Sequence, residues 1–227
     1  MNTDQPKDAI RNASSVVLLR RDGSLPRVLM GQRGRTAAFM PSKFVFPGGA
    51  VDADDARVPL GAEIPDDLTD LLSRRADKTL ALPLLLAAVR ELWEETGLAL
   101  ATRGQDPSGP VPDDWQSFFA AGFRPAPGGL EFIFRAITPP GRPRRFDARF
   151  FLVPADAILG SLDDFSRASD ELSHLNWLTL AEARRLDLPF ITEVVLAEIE
   201  ARVATPDQRR PVPFFHHSEG KSFLDRV

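Results

Sequence analysis

The chain has 227 residues, 43% of them hydrophobic and 26% charged, with no cysteine and a formal net charge of −4. This composition excludes disulfides, thiolate metal sites and cysteine nucleophiles, and a mildly acidic chain does not read as a general nucleic-acid binder, which is usually basic. The length suits one α/β domain with an insertion, and the core is large enough to fold without staples.

Residues 1–12 are polar, carry no apolar signal core and read as a loose tail. Nothing approaches the ~18 continuous apolar residues of a membrane span, so the expectation is a cytoplasmic protein with neither membrane nor nucleic acid as partner. Ser14 to Arg20 (SSVVLLR) reads as a buried strand, Asp22-Gly23 as a turn, and Arg27 to Gln32 as a second strand pairing antiparallel with the first. Residues 33–43 form a loop, and Lys43 to Phe46 runs as a short strand into Pro47-Gly48-Gly49. Residues 52–80 interrupt the pattern with aspartates, arginines and prolines, and a short helix is predicted around Asp66 to Arg75.

From Pro83 the sequence PLLLAAVRELWEETG predicts a strong helix. Proline suits its first turn, Gly97 suits its C-terminal stop, and Leu85, Ala88, Val89 and Leu92 mark a buried face. Beyond a Pro/Gly-rich loop at 103–112, a short helix is predicted over Asp113 to Ala121, and strands over Leu130 to Ile137 and Ala148 to Pro154. The loop between those strands carries Arg142, Arg144 and Arg145, for which a solvated hairpin and a contact to an anionic ligand are both open. Residues 155–170 read as polar loop, Leu175 to Leu178 as a strand, TLAEARRL from Thr179 as a helix and Thr192 to Ala204 as a last long helix.

Chemistry concentrates in the Pro83 helix. Glu91, Glu94 and Glu95 share one helical face. Like charges so spaced cost roughly 0.2–0.5 kcal/mol per pair, and the helix dipole disfavours them near a C-terminus. A divalent cation would remove both objections, since magnesium prefers hard oxygen ligands and bridges carboxylates to phosphate oxygens. A solvated acidic helix end is the plain alternative. Upstream, Pro47-Gly48-Gly49 can bring main-chain groups close to a metal or phosphate, or be an ordinary turn.

Together these residues resemble the Nudix box: a glycine, five residues, a glutamate, seven residues, then Arg-Glu-aliphatic-x-Glu-Glu-x-Gly-aliphatic. The second half is complete from Arg90 to Leu98. In the first half Gly49 is present and Asp55 stands at the place of the glutamate, but 35 positions before Arg90 rather than the family's eight, an insertion of about 27 residues. Aligned without a gap, Leu82 falls on that glutamate instead, so on either alignment the first glutamate is absent. The interrupted box, PSKFVFPGGAVD (41–52) and TPPGRPRRFDARFF (138–151) are similar to the peroxisomal coenzyme A diphosphatase-like subgroup.

The resemblance implies a Nudix-type α/β/α sandwich with a mixed central sheet, one domain over 1–227, and residues 56–80 inserted before the catalytic helix, outside the catalytic fold. It implies Mg²⁺ or Mn²⁺ held by Glu91, Glu94 and Glu95 with a main-chain oxygen of Gly48 or Gly49, and Arg90 holding a box glutamate in place. Catalytic roles fall on Arg90, Glu94, Glu95 and, from the later loop, Glu171, with Asp164 and Asp170 as alternatives. Arg33 and Arg35, and from the other side Arg144, Arg145 and Arg149, are candidates to meet the phosphates of a small nucleotide substrate. Trp93 and Trp177 read as packing residues, and the adjacent His216-His217 is a poor metal pair. The expected activity is hydrolysis of a nucleoside diphosphate linked to another group: coenzyme A or an acyl derivative, with ADP-ribose, NADH or a dinucleoside polyphosphate as alternatives. Many members are dimers, so a homodimer is expected. A nucleotide-sensing module without turnover is the reading from another class, which the intact glutamates disfavour.

Overall fold

The computed structural model describes residues 9–37, 39–105 and 109–227, so most of the N-terminal tail, Ala38 and part of the 103–112 loop lie outside it. The strands are β1 (Ile10–Arg20), β2 (Arg27–Arg33), β3 (Phe44–Val45), β4 (Gly48–Ala50), β5 (Ala101–Arg103), β6 (Phe123–Pro125), β7 (Glu131–Ile137), β8 (Arg145–Pro154), β9 (Leu172–Thr179), β10 (Pro213–Ser218) and β11 (Lys221–Arg226). The helices are α1 (Asp66–Ser73), α2 (Ala81–Thr96), α3 (Gln116–Ala120), α4 (Leu180–Ala183) and α5 (Phe190–Ala204).

Among the described residues nine strands form one mixed sheet in the order β11-β10-β7-β8-β1-β2-β3, with β4 on β1 and β9 on β2. β1 pairs parallel with β8, and β10 parallel with β7; the remaining pairs are antiparallel. Alternation along the central strands sends side chains to two faces. Val16, Leu18, Phe151 and Val153 join the α2 side, whereas Val17, Leu19, Phe150 and Leu152 join α4 and α5. The expected α/β/α layering is thus present. No helix among the described residues is long and apolar enough to cross a membrane.

α2 is buried on nearly every side, and it ends as expected: Gly97 takes φ 75° and its N–H closes on Trp93 O at 2.8 Å. Thr179 and Glu182 form a reciprocal capping box that starts α4. β1 begins at Ile10, inside the expected tail, because it follows β8 in register from Ile10↔Arg145 onward. Two elements were not expected. β5 and β6 form a separate two-stranded ladder, three residues each and too short for periodicity to register. The β10–β11 hairpin turns through Glu219 and Gly220, both at positive φ (50° and 73°), as a two-residue primed turn requires.

The 56–80 segment departs most from expectation. It was to lie outside the catalytic fold, yet Val58, Leu68 and Leu72 are 4%, 8% and 2% exposed within the α2-side core. The segment's end is also tied down: Arg75 O accepts from Arg135 at 2.9 Å, and Arg75 Nη1 reaches Asp225 at 3.1 Å. An amphipathic helix must bury its apolar stripe somewhere, and α2 offers the surface. Leu72→Ala should therefore cost about 2–5 kcal/mol in chemical denaturation; a loss under about 0.5 kcal/mol, typical of a surface site, would return the segment to the periphery.

Candidate active site

The site forms where α2, β4 and the end of β9 meet. β4 pairs with β1 through Ser14↔Gly49 and Ser15↔Gly48, and Ser14 Oγ donates to Leu84 O at 2.6 Å, tying β1 to α2. A Cβ on Gly49 would lie 2.4 Å from Cδ and Oε1 of Glu91, so only glycine lets that carboxylate rest on the main chain. Gly48 N–H donates to Glu95 Oε2 at 2.7 Å.

Arg90 organises the acids. Its Nη1 donates to Glu91 Oε1 at 2.9 Å and to Glu94 Oε2 at 3.1 Å, and its Nη2 donates to Ala50 O at 3.0 Å. Its other edge grips Asp55, Nε to Oδ1 at 2.9 Å and Nη2 to Oδ2 at 3.1 Å. Asp55 is fully buried and also accepts from Trp115 Nε1 at 3.2 Å. Burial works against the Arg90 cation, but the Asp55 hydrogen bonds and the charges of Glu91, Asp55 and Glu94 outweigh it and raise its pKa. Asp55, which stands at the place of the motif's first glutamate, thus meets Arg90 from across the insertion. Its place in the pattern was legible; its pairing was hidden by a separation of 35 positions.

The glutamates are strained electrostatically. Burial pushes Glu91 upward against Arg90, with Glu171 and Asp55 adding to the rise. Burial lifts Glu94 to about 7, opposed by Arg90 and assisted by Glu91. Glu95 is raised well above its ordinary value by burial, then by Glu91 and Glu171, against the Gly48 N–H and the Arg33 charge. These effects bring Glu171 and Arg33 electrostatically onto the acidic cluster.

The loop that precedes Glu171 docks on the end of α2. Ser169 N–H donates to Glu94 O at 2.9 Å, and the Arg167 guanidinium lies 5.8 Å from the Trp93 ring. Neither residue was singled out by sequence, since both fall in polar loop. Asp164 accepts from Ser166 N at 3.0 Å, and Asp170 and Glu171 are both exposed.

The remaining arginines divide. Arg33 ends β2, and exposed Arg35 follows it. Arg144 is exposed at the β7–β8 turn, and Arg145 Nε donates to Thr138 O at 3.2 Å. Arg149, expected to face substrate, is 1% exposed and bonded to Asn12 Oδ1 (2.7 Å) and Asp147 O (2.8 Å), so it belongs to a buried network with Asp147 and Arg135. Trp93 packs edge-on against Phe118 and Phe123, Trp177 Nε1 donates to Leu162 O, and His216 pairs with Asp225.

Among the described residues no three His, Asp or Glu side chains are gathered as a ready metal shell. Glu91 and Glu94 are turned onto Arg90 and Glu95 onto Gly48 N–H, so a cation would compete with those donors. In kind the donor set fits a hard divalent ion: all carboxylate, held above the usual range by burial and mutual repulsion.

No family model matches the chain. The crystal structure of a NUDIX hydrolase from Alicyclobacillus acidocaldarius matches it with a TM-score of 0.61 and 30% identity, over 88% of this chain and 93% of that one. The chain belongs to the Nudix hydrolase family. A Caenorhabditis elegans protein carrying the name nudix hydrolase 7 is 32% identical over 178 residues, 74% of this chain and 51% of the relative, so the chain spans about half of that curated protein. The NUDIX domain of Shewanella oneidensis NrtR, solved in complex with ADP ribose, shares the fold with a TM-score of 0.51 at 14% identity, over 88% and 94% of the two chains. Within the Nudix frame, the box's second half runs from Arg90 to Thr96 on α2 and on through its Gly97 stop to Leu98, and Asp55 meets its arginine from the other end of the insertion.

Proposed function

We propose that this chain hydrolyses the diphosphate bond of a nucleotide-like small molecule, using a divalent cation held by Glu91, Glu94 and Glu95. The supporting observation is the convergence of these acids: all three are raised by burial, and the Glu171 charge adds to two of them, on the face that meets Gly48-Gly49. A main-chain oxygen of Gly48 or Gly49 would complete the set. Mg²⁺ or Mn²⁺ bound there supplies charge neutralisation of phosphate oxygens and a lower pKa for the attacking water.

The chain's own groups do the rest. Arg90 fixes Glu91 and Glu94, and a carboxylate among Glu94, Glu95 and Glu171 accepts the proton of the attacking water. Attack at phosphorus then gives two monophosphate products. Arg33 and Arg35 are proposed to meet phosphate from the β2 side, and Arg144 and Arg145 from the β7–β8 side.

Coenzyme A or an acyl derivative is the proposed substrate, cleaved to 3′,5′-ADP and a 4′-phosphopantetheine product. Support comes from the interrupted box and the 138–151 run. ADP-ribose is the second reading, on the ligand of the Shewanella neighbour. Comparing kcat/KM for coenzyme A, dephospho-coenzyme A and ADP-ribose separates them. Coenzyme A should exceed its dephospho form by roughly ten- to a hundred-fold if one charged contact holds the 3′-phosphate. Good activity on ADP-ribose with none on either coenzyme would remove the coenzyme A assignment.

A further inference from the structure

A cavity of about 420 Å³ opens at the shared end of β2 and β9, lined by Gln32, Arg33, Arg35, Ser42, Ser173 and His174 among others. The volume lies in the ligand-pocket range. These walls present two guanidinium groups, an imidazole, two hydroxyls and an amide, and neither a carboxylate nor an aliphatic side chain. Such a lining suits a polar anion and gives a nucleobase no apolar wall to pack on.

The cavity is built rather than incidental. Gln32 Nε2 donates to Ser42 O at 2.9 Å, Ser42 N–H to Arg33 O at 3.1 Å, and Ser173 Oγ to Gln32 O at 3.1 Å. Ser42 and His174 hold φ of 60° and 52°, a region that costs free energy for residues other than glycine and clusters at functional sites. His174 sits where β9 slips register against β2, between the partners of Met30 and Gln32. Arg33 Nε is buried with no hydrogen-bond partner among the described residues, a costly state for a charged donor.

We infer that this cavity is a subsite for a phosphomonoester carried on a sugar or polyol arm of the substrate, gripped by Arg33, Arg35 and His174. Its position relative to the scissile bond rests on the diphosphate reading above. Glu171 precedes His174 by three residues, at most about 11 Å of extended chain, which a phosphorylated sugar can bridge. The subsite deepens the coenzyme A assignment by placing the additional phosphate beside β9 rather than at Arg144 and Arg145.

The full chain is titrated calorimetrically in EDTA with ribose 5-phosphate, AMP and adenosine, so that binding is read without turnover. Ribose 5-phosphate and AMP should bind with similar affinity, and adenosine should not. Arg35→Gln and His174→Gly should each weaken phosphate binding about tenfold, and Arg209→Ala, at an exposed arginine far along the chain, should leave it unchanged. His174→Gly should also raise the melting temperature, because glycine adopts positive φ without strain; loss of affinity together with gained stability separates a ligand contact from a structural role. Adenosine binding as tightly as AMP, absence of phosphate binding, or weakening by Arg145→Ala but not by Arg35→Gln would overturn the inference. If these binding results held while no diphosphate was cleaved, the proposed hydrolysis alone would fall.

Discussion

Glu95→Gln is expected to lower turnover on the best diphosphate substrate by at least ~10²-fold, the scale on which one element of charge stabilisation at a reacting centre is lost. Glu95 is 2% exposed, accepts from Gly48 N–H at 2.7 Å, and is pushed up by burial, Glu91 and Glu171. Glutamine keeps an oxygen for the glycine N–H and removes only the charge. The variant should thus fold normally, and without metal its thermal midpoint should equal or exceed that of the parent, because repulsion among the acids is relieved. Glu94→Gln should behave alike in turnover. Steady-state rates in excess Mg²⁺ and melting curves in EDTA read both parts, and near-parent turnover in either variant would end the ligand assignment.

Asp55→Ala carries the largest expected effect on stability, a loss of about 3–5 kcal/mol, the usual result of stripping one partner from a buried ion pair. Arg90 is 6% exposed and would keep Glu91, Glu94 and Ala50 O, while Trp115 Nε1 would lose its acceptor. Those surviving contacts place the expectation at the lower end of that range. Asp55→Asn, which keeps one acceptor oxygen for Arg90 Nε and the Trp115 indole but loses the acceptor facing Arg90 Nη2 and Asp52 N–H, should lose less. Urea denaturation of the two variants measures the difference. A cost under about 1 kcal/mol for the alanine variant, the scale of a surface pair, would show that Arg90 does not depend on the carboxylate across the insertion.

The contrast between these residues shows what sequence could carry. α2 was legible because one helix contains its own evidence: a 3.6-residue apolar period, proline in the first turn, glycine at the stop and three acids on one face. Asp55 was visible as a position in a pattern, but its bond to Arg90 spans 35 positions and depends on how the residues between them fold back. Those positions misled in composition too. Their acids and prolines suggested an external loop, whereas Leu68 and Leu72 close the core against α2. β9 was underestimated, Leu175 to Leu178 standing for Leu172–Thr179, because its exposed Ser173 and His174 and its register slip erase alternation. Glu171 could be proposed only as one loop acid among three. The Ser169 N–H bond to Glu94 O and the Arg167–Trp93 contact bring its loop to α2, and its charge acts on Glu91 and Glu95, tertiary effects with no local signature. Arg149 erred in the opposite direction: its basic surroundings suggested a ligand contact, but Asp147 and Asn12 already occupy its guanidinium.

Glu91, Glu94, Glu95 and Glu171 are proposed to form a divalent-metal-dependent diphosphate hydrolysis site. The most direct measurement incubates the full chain with coenzyme A, ADP-ribose, NADH and dinucleoside polyphosphates in Mg²⁺ or Mn²⁺, and scores the new terminal phosphates through a coupled phosphatase, with EDTA and Glu95→Gln controls. At least one of these substrates should be split at a phosphoanhydride bond into two products with terminal phosphates, and the cleavage should be lost in EDTA and in Glu95→Gln. Cleavage that persists undiminished in both controls, or no cleavage of any of them with either metal, would contradict this assignment.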